Sequence, residues 1–315
     1  MIEEIRNSLK GVEVDAVIGF KRKENEPREV LHVFKPDEIE QLTFSPMSAH
    51  NTARMLIEAL KRYNRVAVVA KGCDAETIRQ LIKEQKVDRE RVYIVGVSCS
   101  GVVDYRKFRR AVNFRLSDVK EVVLEGDELV VKASGGEQRI PFSEVMARSC
   151  AFCRSPTPTL YDVLVGEPRE GRLNFADVEE LEKLDREQRW NYWIEVFGRC
   201  IRCHACRQVC PICYCEECIV DPTNLAISPM TPPEEKAAYP RVLGKTVSAR
   251  DNMIYHILRV LHHAGRCTGC GECERACPME LPLTTLERKL WKVVSEEFGY
   301  SPDEDVPFLS KLDVR

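Results

Sequence analysis

The chain has 315 residues, 31% of them charged, and a formal net charge of -3. This near balance gives no overall field for attracting a polyanion, so nucleic acid is not an expected partner. The N-terminus lacks the basic and apolar regions of a secretory signal, and no apolar run approaches the length of a membrane span. We therefore expect a soluble cytoplasmic protein, long enough for two domains.

The first 150 residues alternate between predicted strands and helices. The predicted elements are strands at 15–20, 65–70 and 91–97, helices at 49–63 and 74–86, and a hairpin at 120–133. The second and third strands are continuous apolar runs, typical of strands buried on both faces. With the helix between them, which Asp74 is expected to cap, they form a βαβ unit, so these strands should be parallel.

A candidate metal site lies at the ends of these two strands. Cys73 follows the second strand and Cys99 follows the third. Ligands of open α/β sheets bind at the carboxyl ends of the strands, and the pair Cys150-x2-Cys153 could complete a set of four. Zinc and buried structural cysteines are the alternatives to a 4Fe-4S cluster here.

The strongest signal is a motif that occurs twice. The spacing Cys-x2-Cys-x2-Cys-x3-Cys-Pro is typical of cubane iron-sulfur clusters. Its two copies are Cys200, Cys203, Cys206 and Cys210 with Pro211, and Cys267, Cys270, Cys273 and Cys277 with Pro278. Zinc sites favour separate Cys-x2-Cys pairs instead.

The two copies are expected to cross over one another. In two-cluster ferredoxins the fourth cysteine of each motif binds the other cluster. The predicted ligands are Cys200, Cys203, Cys206 and Cys277 for cluster 1, and Cys210, Cys267, Cys270 and Cys273 for cluster 2. The presence of two such clusters favours a third 4Fe-4S cluster, cluster 3, on Cys73, Cys99, Cys150 and Cys153.

Three further cysteines, Cys213, Cys215 and Cys218, follow the first motif closely. They could hold an additional metal centre, either a cluster with a ligand other than cysteine or a zinc ion with His204. They could also exchange with ligands of the main assignment, because Cys210-x2-Cys213 has ligand spacing too.

Helices precede both motifs. Residues 175–197 and 252–263 are predicted helices, which favours a helical ferredoxin module over the small βαββαβ type, and the five prolines of 221–240 predict an extended loop between the motifs. His262 and His263 could tune a cluster by hydrogen bonds, although ordinary helix surface is the simpler interpretation. The basic run 106–110 is likewise expected to be a solvated face.

These patterns predict an α/β N-terminal domain with a mostly parallel sheet and a mostly helical dicluster ferredoxin-like C-terminal domain. The predicted divisions are the α/β domain at 1–166, a connecting helix at 167–198, the ferredoxin-like domain at 199–283, and a C-terminal helix and tail at 284–315.

Four segments of the chain resemble a known family. Val69–Asp74, Val95–Gly101, Ser149–Cys153 and Tyr161–Gly166 look like the beta subunits of coenzyme F420 hydrogenases and dehydrogenases, which include formate dehydrogenase beta subunits. The resemblance implies that Cys73, Cys99, Cys150 and Cys153 bind a 4Fe-4S cluster next to an FAD.

The first ferredoxin motif carries a second resemblance. Residues 200–215 are similar to the ferredoxin part of formate dehydrogenase beta subunits, and similar proteins accompany heterodisulfide-reductase-like modules. FAD-binding members of the family often carry a Ser-Gly-Gly turn before the first long helix. The corresponding segment here, 45–51, reads Ser-Pro-Met-Ser-Ala-His-Asn.

We therefore expect an electron-transfer subunit of an anaerobic oxidoreductase complex, without catalytic residues of its own. The resemblance implies as its partner a formate dehydrogenase, a hydrogenase or a heterodisulfide-reductase-like flavoprotein, with a flavoprotein or ferredoxin-like carrier. One alternative is an FAD-containing subunit that itself exchanges hydride with F420 or a nicotinamide. Another is a zinc-stabilised scaffold that binds partners.

Overall fold

The structure is a computed structural model that describes residues 1–216, 218, 220, 232–234 and 248–311. Most of the predicted loop at 221–240 lies outside these residues. The fold divides into an α/β half, a small antiparallel sheet attached to it, and a helical half that carries the two ferredoxin motifs.

A five-stranded sheet organises the first half. Its strands, in spatial order, are β2 (Glu29–Phe34), β1 (Ala16–Arg22), β3 (Val66–Lys71), β4 (Val92–Val97) and β8 (Val163–Val165). β2 runs antiparallel to β1, whereas β1, β3, β4 and β8 are mutually parallel. The prediction that β3 and β4 are parallel is therefore confirmed, and they are also direct neighbours.

Helices cover both faces of this sheet, which explains the continuous apolar sequence of β3. Helices α2 (Ala53–Arg62) and α3 (Gly72–Lys83) pack on one face around Leu56 and Ile78. Helix α1 (Ile2–Leu9) packs on the other face. Every residue of β3 is buried, and burying each large aliphatic side chain contributes about 1.5–3 kcal/mol.

Helix α3 begins two residues earlier than expected. Asp74 is its third residue rather than its N-cap, and the Asp74 carboxylate accepts the backbone N–H of Lys71 at 2.9 Å. This bond closes the first helical turn directly after β3. Cys73 therefore lies in the first turn of a helix at the carboxyl edge of the sheet.

The predicted hairpin is part of a three-stranded antiparallel sheet. Strands β5 (Val119–Glu125) and β6 (Glu128–Ala133) form the hairpin, and the unpredicted β7 (Gly136–Pro141) pairs with β6. Helices α4 (Tyr105–Ala111) and α5 (Phe142–Val145) complete the core of this unit.

The described part of the second half is helical. The single helix predicted at 175–197 is two helices, because the side chain of Asp185 caps a new helix by accepting the N–H of Gln188 at 2.8 Å. The helices are α6 (Ala176–Glu182), α7 (Arg186–Gly198), α8 (Ala205–Gln208), α9 (Ala249–Leu261), α10 (Glu272–Ala276) and α11 (Leu283–Phe298). Within the described ranges, no helix is both long and apolar enough to cross a membrane.

Candidate metal centres

The sheet brings the cysteines predicted for cluster 3 to one edge. Lys71 and Val97 are paired in register at the ends of β3 and β4, so Cys73 and Cys99 leave the sheet side by side. Cys150 and Cys153 reach this edge from a short 3₁₀ helix, Arg148–Phe152. The thiols interact electrostatically, Cys73 with Cys153, and Cys99 with both Cys150 and Cys153.

Backbone amides already point at two of these sulfurs. The N–H of Gly101 donates to the Sγ of Cys99, and the N–H of Val102 donates to the Sγ of Cys150, each at 3.4 Å. Burial raises the pKa of Cys99 to about 12 and that of Cys153 to about 11. Thiolates at this edge therefore require a compensating cation, which a bound metal centre supplies.

The side chain of Lys71 brings a positive charge to the same edge. Lys71 is 2% exposed, and its Nζ contacts the carboxylate of Asp74 at 2.9 Å and donates to the carbonyl of His50 at 2.8 Å. Its charge lowers the pKa of Cys99, partly opposing the effect of burial. The positive charge favours thiolates at this edge.

The four cysteines predicted for cluster 1 line one cavity. Cys200, Cys203 and Cys206 come from the loop before α8 and from α8 itself, and Cys277 comes from the end of α10. Cys206 and Cys277 are buried, whereas Cys203 is exposed. The second motif thus contributes its last cysteine to the cavity of the first.

The cysteines predicted for cluster 2 share a cavity with three of the cysteines predicted for cluster 3. The cysteines that line this second cavity are Cys210, Cys267, Cys270 and Cys273 from the ferredoxin motifs, and Cys73, Cys150 and Cys153 from the α/β half. Cys73 and Cys270 also interact electrostatically. The cavity therefore lies between the two halves of the fold.

Hydrogen bonds cross between the halves around this cavity. The N–H of Asn51 donates to Glu272 at 2.6 Å, and Thr77 Oγ1 lies 3.0 Å from Thr268 Oγ1. Glu272 is 4% exposed; burial alone would raise its pKa, but Arg275 and His50 hold the pKa at about 2. The carboxylate is thus an anion that ties the α/β half to the helix of the second motif.

Helix α9 places a histidine and a tyrosine against two of the cysteines predicted for cluster 1. His256 Nε2 lies 3.3 Å from the Sγ of Cys200, and the hydroxyl of Tyr255 lies 3.6 Å from the Sγ of Cys206. Burial, followed by the charge of Arg259, lowers the pKa of His256 to about 3. The imidazole is therefore neutral and can donate a hydrogen bond to the sulfur.

The extra cysteines are not equivalent. The ligand atoms of Cys210, Cys213 and His263 all lie within 4.8 Å of one another, and the Sγ of Cys213 is 3.1 Å from Nε2 of His263. Cys215 is exposed and Cys218 is half-buried. The histidine beside Cys213 is thus His263, and not the His204 suggested by the sequence.

The interpretation of His263 as helix surface is wrong. Its side chain is 2% exposed, and its Nδ1 lies 2.8 Å from the carboxylate of Glu287. The sequence contains a signal for this burial, because four polar side chains recur at helical spacing and face inwards. They are Asn252, His256, Arg259 and His263.

The basic run 106–110 is also more than a solvated face. Arg106 donates to the carbonyl of Cys277 at 2.6 Å and to the carbonyl of Glu274 at 3.2 Å. Arg110 pairs with Glu280 at 2.5 Å. The run therefore holds α4 against the second motif, and only part of it, including Arg109, is exposed.

Several backbone donors of the segment 45–51 are bonded within the protein. The N–H of Ser45 donates to Glu29 at 3.2 Å, and the side chain of Ser48, which is fully buried, also contacts this carboxylate. The N–H of Asn51 is taken by Glu272. The segment therefore differs from the Ser-Gly-Gly turn of FAD-binding family members both in its sequence and in having these backbone donors engaged.

Family models match both halves of the chain. Residues 63–195 match the model that describes the C terminus of the coenzyme F420 hydrogenase/dehydrogenase beta subunit, and residues 260–281 match the 4Fe-4S binding domain. The first match includes the four cysteines predicted for cluster 3, and the second includes all four cysteines of the second motif.

Similar proteins span most of the chain. The F420-dependent formate dehydrogenase subunit beta of Methanocaldococcus jannaschii is 23% identical, over 93% of this chain and 88% of its own length. The F420-dependent formate dehydrogenase 1 subunit beta of Methanococcus maripaludis is also 23% identical, over 85% of this chain and 82% of its own. One of the F(420)H(2) dehydrogenase subunits of Methanosarcina mazei is 26% identical, over 49% of this chain and 46% of its own length. The predicted resemblance to the coenzyme F420 hydrogenase/dehydrogenase beta subunits is thus confirmed, with a match to their C-terminal domain at 63–195 followed by a match to a 4Fe-4S binding domain at 260–281.

Proposed function

We propose that the chain is the iron-sulfur electron-transfer subunit of a cytoplasmic oxidoreductase complex. Its clusters relay electrons between a catalytic partner and a carrier. The family match, the 4Fe-4S domain and the relatives named as formate dehydrogenase beta subunits support this function. The catalytic partner, by analogy with these relatives, is a formate dehydrogenase or a hydrogenase of the F420-linked type.

The observation that carries this proposal is the cavity shared by two sets of cysteines. Cys73, Cys150 and Cys153 line the same cavity as the cysteines predicted for cluster 2, so the two centres would be direct neighbours. Cluster 1 adjoins cluster 2 because Cys206 and Cys210 belong to one short helical segment, α8 and the turn after it. The clusters would therefore form a line in the order 3, 2, 1.

The exposure of the cysteines suggests where electrons leave this line. Among the proposed ligands Cys203 is exposed, whereas the cysteines of cluster 2 are buried or half-buried. Cluster 1 is accordingly the end that a partner protein can approach. Cluster 3, at the sheet edge, is the opposite end, and its second cavity is lined by Cys99, Cys150 and Cys153.

The proposed domain division follows the same line. The α/β half with its small antiparallel sheet, residues 1–166, carries cluster 3, and the ferredoxin-like unit at 199–283 carries clusters 1 and 2. The joining segment contains α6 and α7, and α7 packs against α9.

The number of clusters is the first test. Anaerobically purified protein should contain about 12 iron atoms and about 12 acid-labile sulfides per chain, as three cubane clusters require. Cys99→Ser should remove one cluster and leave the other two. Zinc in place of iron, with no paramagnetic signal after reduction by dithionite, would support the scaffold alternative and overturn the proposal.

Electron relay is the second test. The chain should be purified together with its natural partner, and the reduction of an added carrier should be followed with formate or hydrogen as the donor. Cys99→Ser, or Cys203→Ser at the opposite end, should stop carrier reduction while the partner still reduces a small viologen dye directly. Undiminished carrier reduction in both variants would show that the clusters are not on the electron path.

A further inference from the structure

We propose that two arginines held in the interior, Arg259 and Arg275, each lie between two neighbouring clusters and raise the reduction potentials of both. The middle cluster is then tuned from two sides and each end cluster from one. This inference rests on the proposed function and on the ligand sets given above.

Arg275 lies at the boundary of clusters 2 and 3. It belongs to α10, and its side chain is 12% exposed. Its Nη1 donates to the carbonyl of Cys270 and its Nη2 to the carbonyl of Ala49, both at 2.9 Å. Its charge interacts with the thiols of Cys73 and Cys150 of cluster 3 and with that of Cys270 of cluster 2. One guanidinium thus contacts both halves of the fold and interacts electrostatically with both sets of sulfurs.

Arg259 occupies the matching position between clusters 1 and 2. It belongs to α9 and is 2% exposed. Its Nη2 donates to the carbonyl of Cys206, a ligand of cluster 1, at 3.2 Å. Its charge interacts with the thiol of Cys206 and with the thiols of Cys210 and Cys273 of cluster 2.

The two sites share one arrangement. Each guanidinium donates to the backbone carbonyl of a ligand cysteine, and each is paired with a buried glutamate. The pairs are Arg275 with Glu272 at 3.8 Å, and Arg259 with Glu287 at 3.2 Å. The glutamates are engaged elsewhere as well, Glu272 by the N–H of Asn51 and Glu287 by His263.

The electrostatic consequence follows from the charge of the clusters. Reduction of a cluster by one electron adds a negative charge inside the protein, where a nearby fixed cation is poorly screened. A guanidinium between two clusters stabilises the reduced form of each and raises both potentials.

The test is a redox titration of the full-length protein, followed by paramagnetic resonance. Arg275→Gln keeps a hydrogen-bond donor and removes the charge, and it should shift clusters 2 and 3 to lower potential while cluster 1 is unchanged. Arg259→Gln should shift clusters 1 and 2 and leave cluster 3 unchanged. The signals are assigned to clusters beforehand with Cys203→Ser and Cys99→Ser.

Charge-preserving variants separate electrostatics from structure. Arg275→Lys and Arg259→Lys should have the same cluster reduction potentials as the parent protein. Arg109→Gln, which changes an exposed arginine of α4, should shift the potential of no cluster. If the potentials of a lysine variant shift as far as those of the glutamine variant, the effect is due to geometry rather than charge, and the inference is overturned.

The two arginines provide independent tests. If one glutamine variant loses iron, the other still shows whether the shift is confined to two adjacent clusters. If the parent protein shows three signals but the glutamine variants show no paired shifts in reduction potential, this inference is overturned and the proposed function is not. Fewer than three signals in the parent would instead contradict the proposed function.

Discussion

The imidazole of His256 lies 3.3 Å from the Sγ of Cys200, stacked on the ring of Phe197 with a centroid distance of 4.8 Å. The stacking fixes the ring plane, and burial keeps the ring neutral with a pKa of about 3. A neutral imidazole that carries its proton on Nε2 can donate to the sulfur of Cys200, a proposed ligand of cluster 1. Hydrogen bonds to cluster sulfurs raise reduction potentials, because they stabilise the more negative reduced state.

Replacing this donor should lower the potential of cluster 1 alone. We expect His256→Phe, which keeps the stacking on Phe197, to lower it by roughly 40 mV. This value treats the lost bond as about 1 kcal/mol, with about 59 mV for each tenfold change in a one-electron equilibrium. The control is His262→Phe on the more exposed end of the same segment. Equal midpoint reduction potentials of cluster 1 in the parent protein and in the His256→Phe variant would show that the imidazole does not donate to the sulfur.

Cys213 should be able to replace Cys210 as the fourth ligand of cluster 2. The two sulfurs and Nε2 of His263 lie within 4.8 Å of one another. We therefore expect Cys210→Ala to retain its full iron content, and Cys210→Ala with Cys213→Ala to lose about four irons per chain. The matched control pairs Cys210→Ala with Cys215→Ala, because Cys215 is exposed. If Cys210→Ala alone loses these four irons, Cys213 cannot replace Cys210 as a ligand.

Gly72 should be essential for cluster 3. A Cβ on this residue would lie 1.6 Å from the carbonyl oxygen of Ser155, two residues after Cys153. Gly72→Ala must push that segment away, so it should remove about four irons, those of cluster 3, and leave the two ferredoxin clusters intact. Gly135→Ala, whose Cβ would meet nothing closer than 3.9 Å, is the control. Iron analysis together with the count of paramagnetic signals gives the result.

Glu29 should make the fold less stable as the pH rises. Its carboxylate is 6% exposed, and burial raises its pKa above the usual 4.5, although Ser48 and Ser45 oppose this. The folded state therefore holds a proton that the unfolded state has released, so stability falls as the pH rises from 4.5 through the folded pKa.

The variant Glu29→Gln removes this proton linkage. Its melting temperature, followed by circular dichroism, should exceed that of the parent protein at pH 7, and the difference should shrink towards pH 5. A difference that is constant between pH 5 and pH 8 would mean that Glu29 does not titrate on unfolding.

Arg106 should hold the two halves together. Its guanidinium donates to the carbonyls of Cys277 and Glu274, and its side chain is 28% exposed. We expect Arg106→Ala to reduce stability by about 1–3 kcal/mol, the usual effect of leaving buried acceptors without a charged donor. Arg109→Ala in the same helix should have little effect. Equal unfolding midpoints for the two variants would assign no role to these contacts.

The elements that the sequence predicts well are those whose burial leaves a regular pattern. β3 and β4 are apolar on both faces, and α3 lies between them, so their order and parallel pairing could be inferred. β7 is largely exposed, and β8 is only three residues long, so neither leaves an apolar run. Their strand structure comes from pairing with β6 and β4, which is tertiary information.

The residues of the metal centres also divide into those that the sequence predicts and those that only the structure shows. Ligand spacing within a motif is local, because one loop must wrap one cluster, and the duplicated motif could therefore be recognised. The buried charges around the clusters are contributed by helix faces that meet only after folding. Arg259 and Arg275 each lie in a helix with ordinary charged neighbours, and only the packed structure shows that they face two sets of sulfurs.

The cavity between the halves also has a consequence for maturation. Cys73 and Cys270 come from opposite halves of the fold and line the same space. Because metal binding to a site that forms only on folding contributes directly to folding free energy, we expect the insertion of the proposed clusters 2 and 3 to be coupled to the docking of the two halves. In a chain starved of iron the two halves should then dock more weakly, and the thiols that line this space should be more open to oxidation.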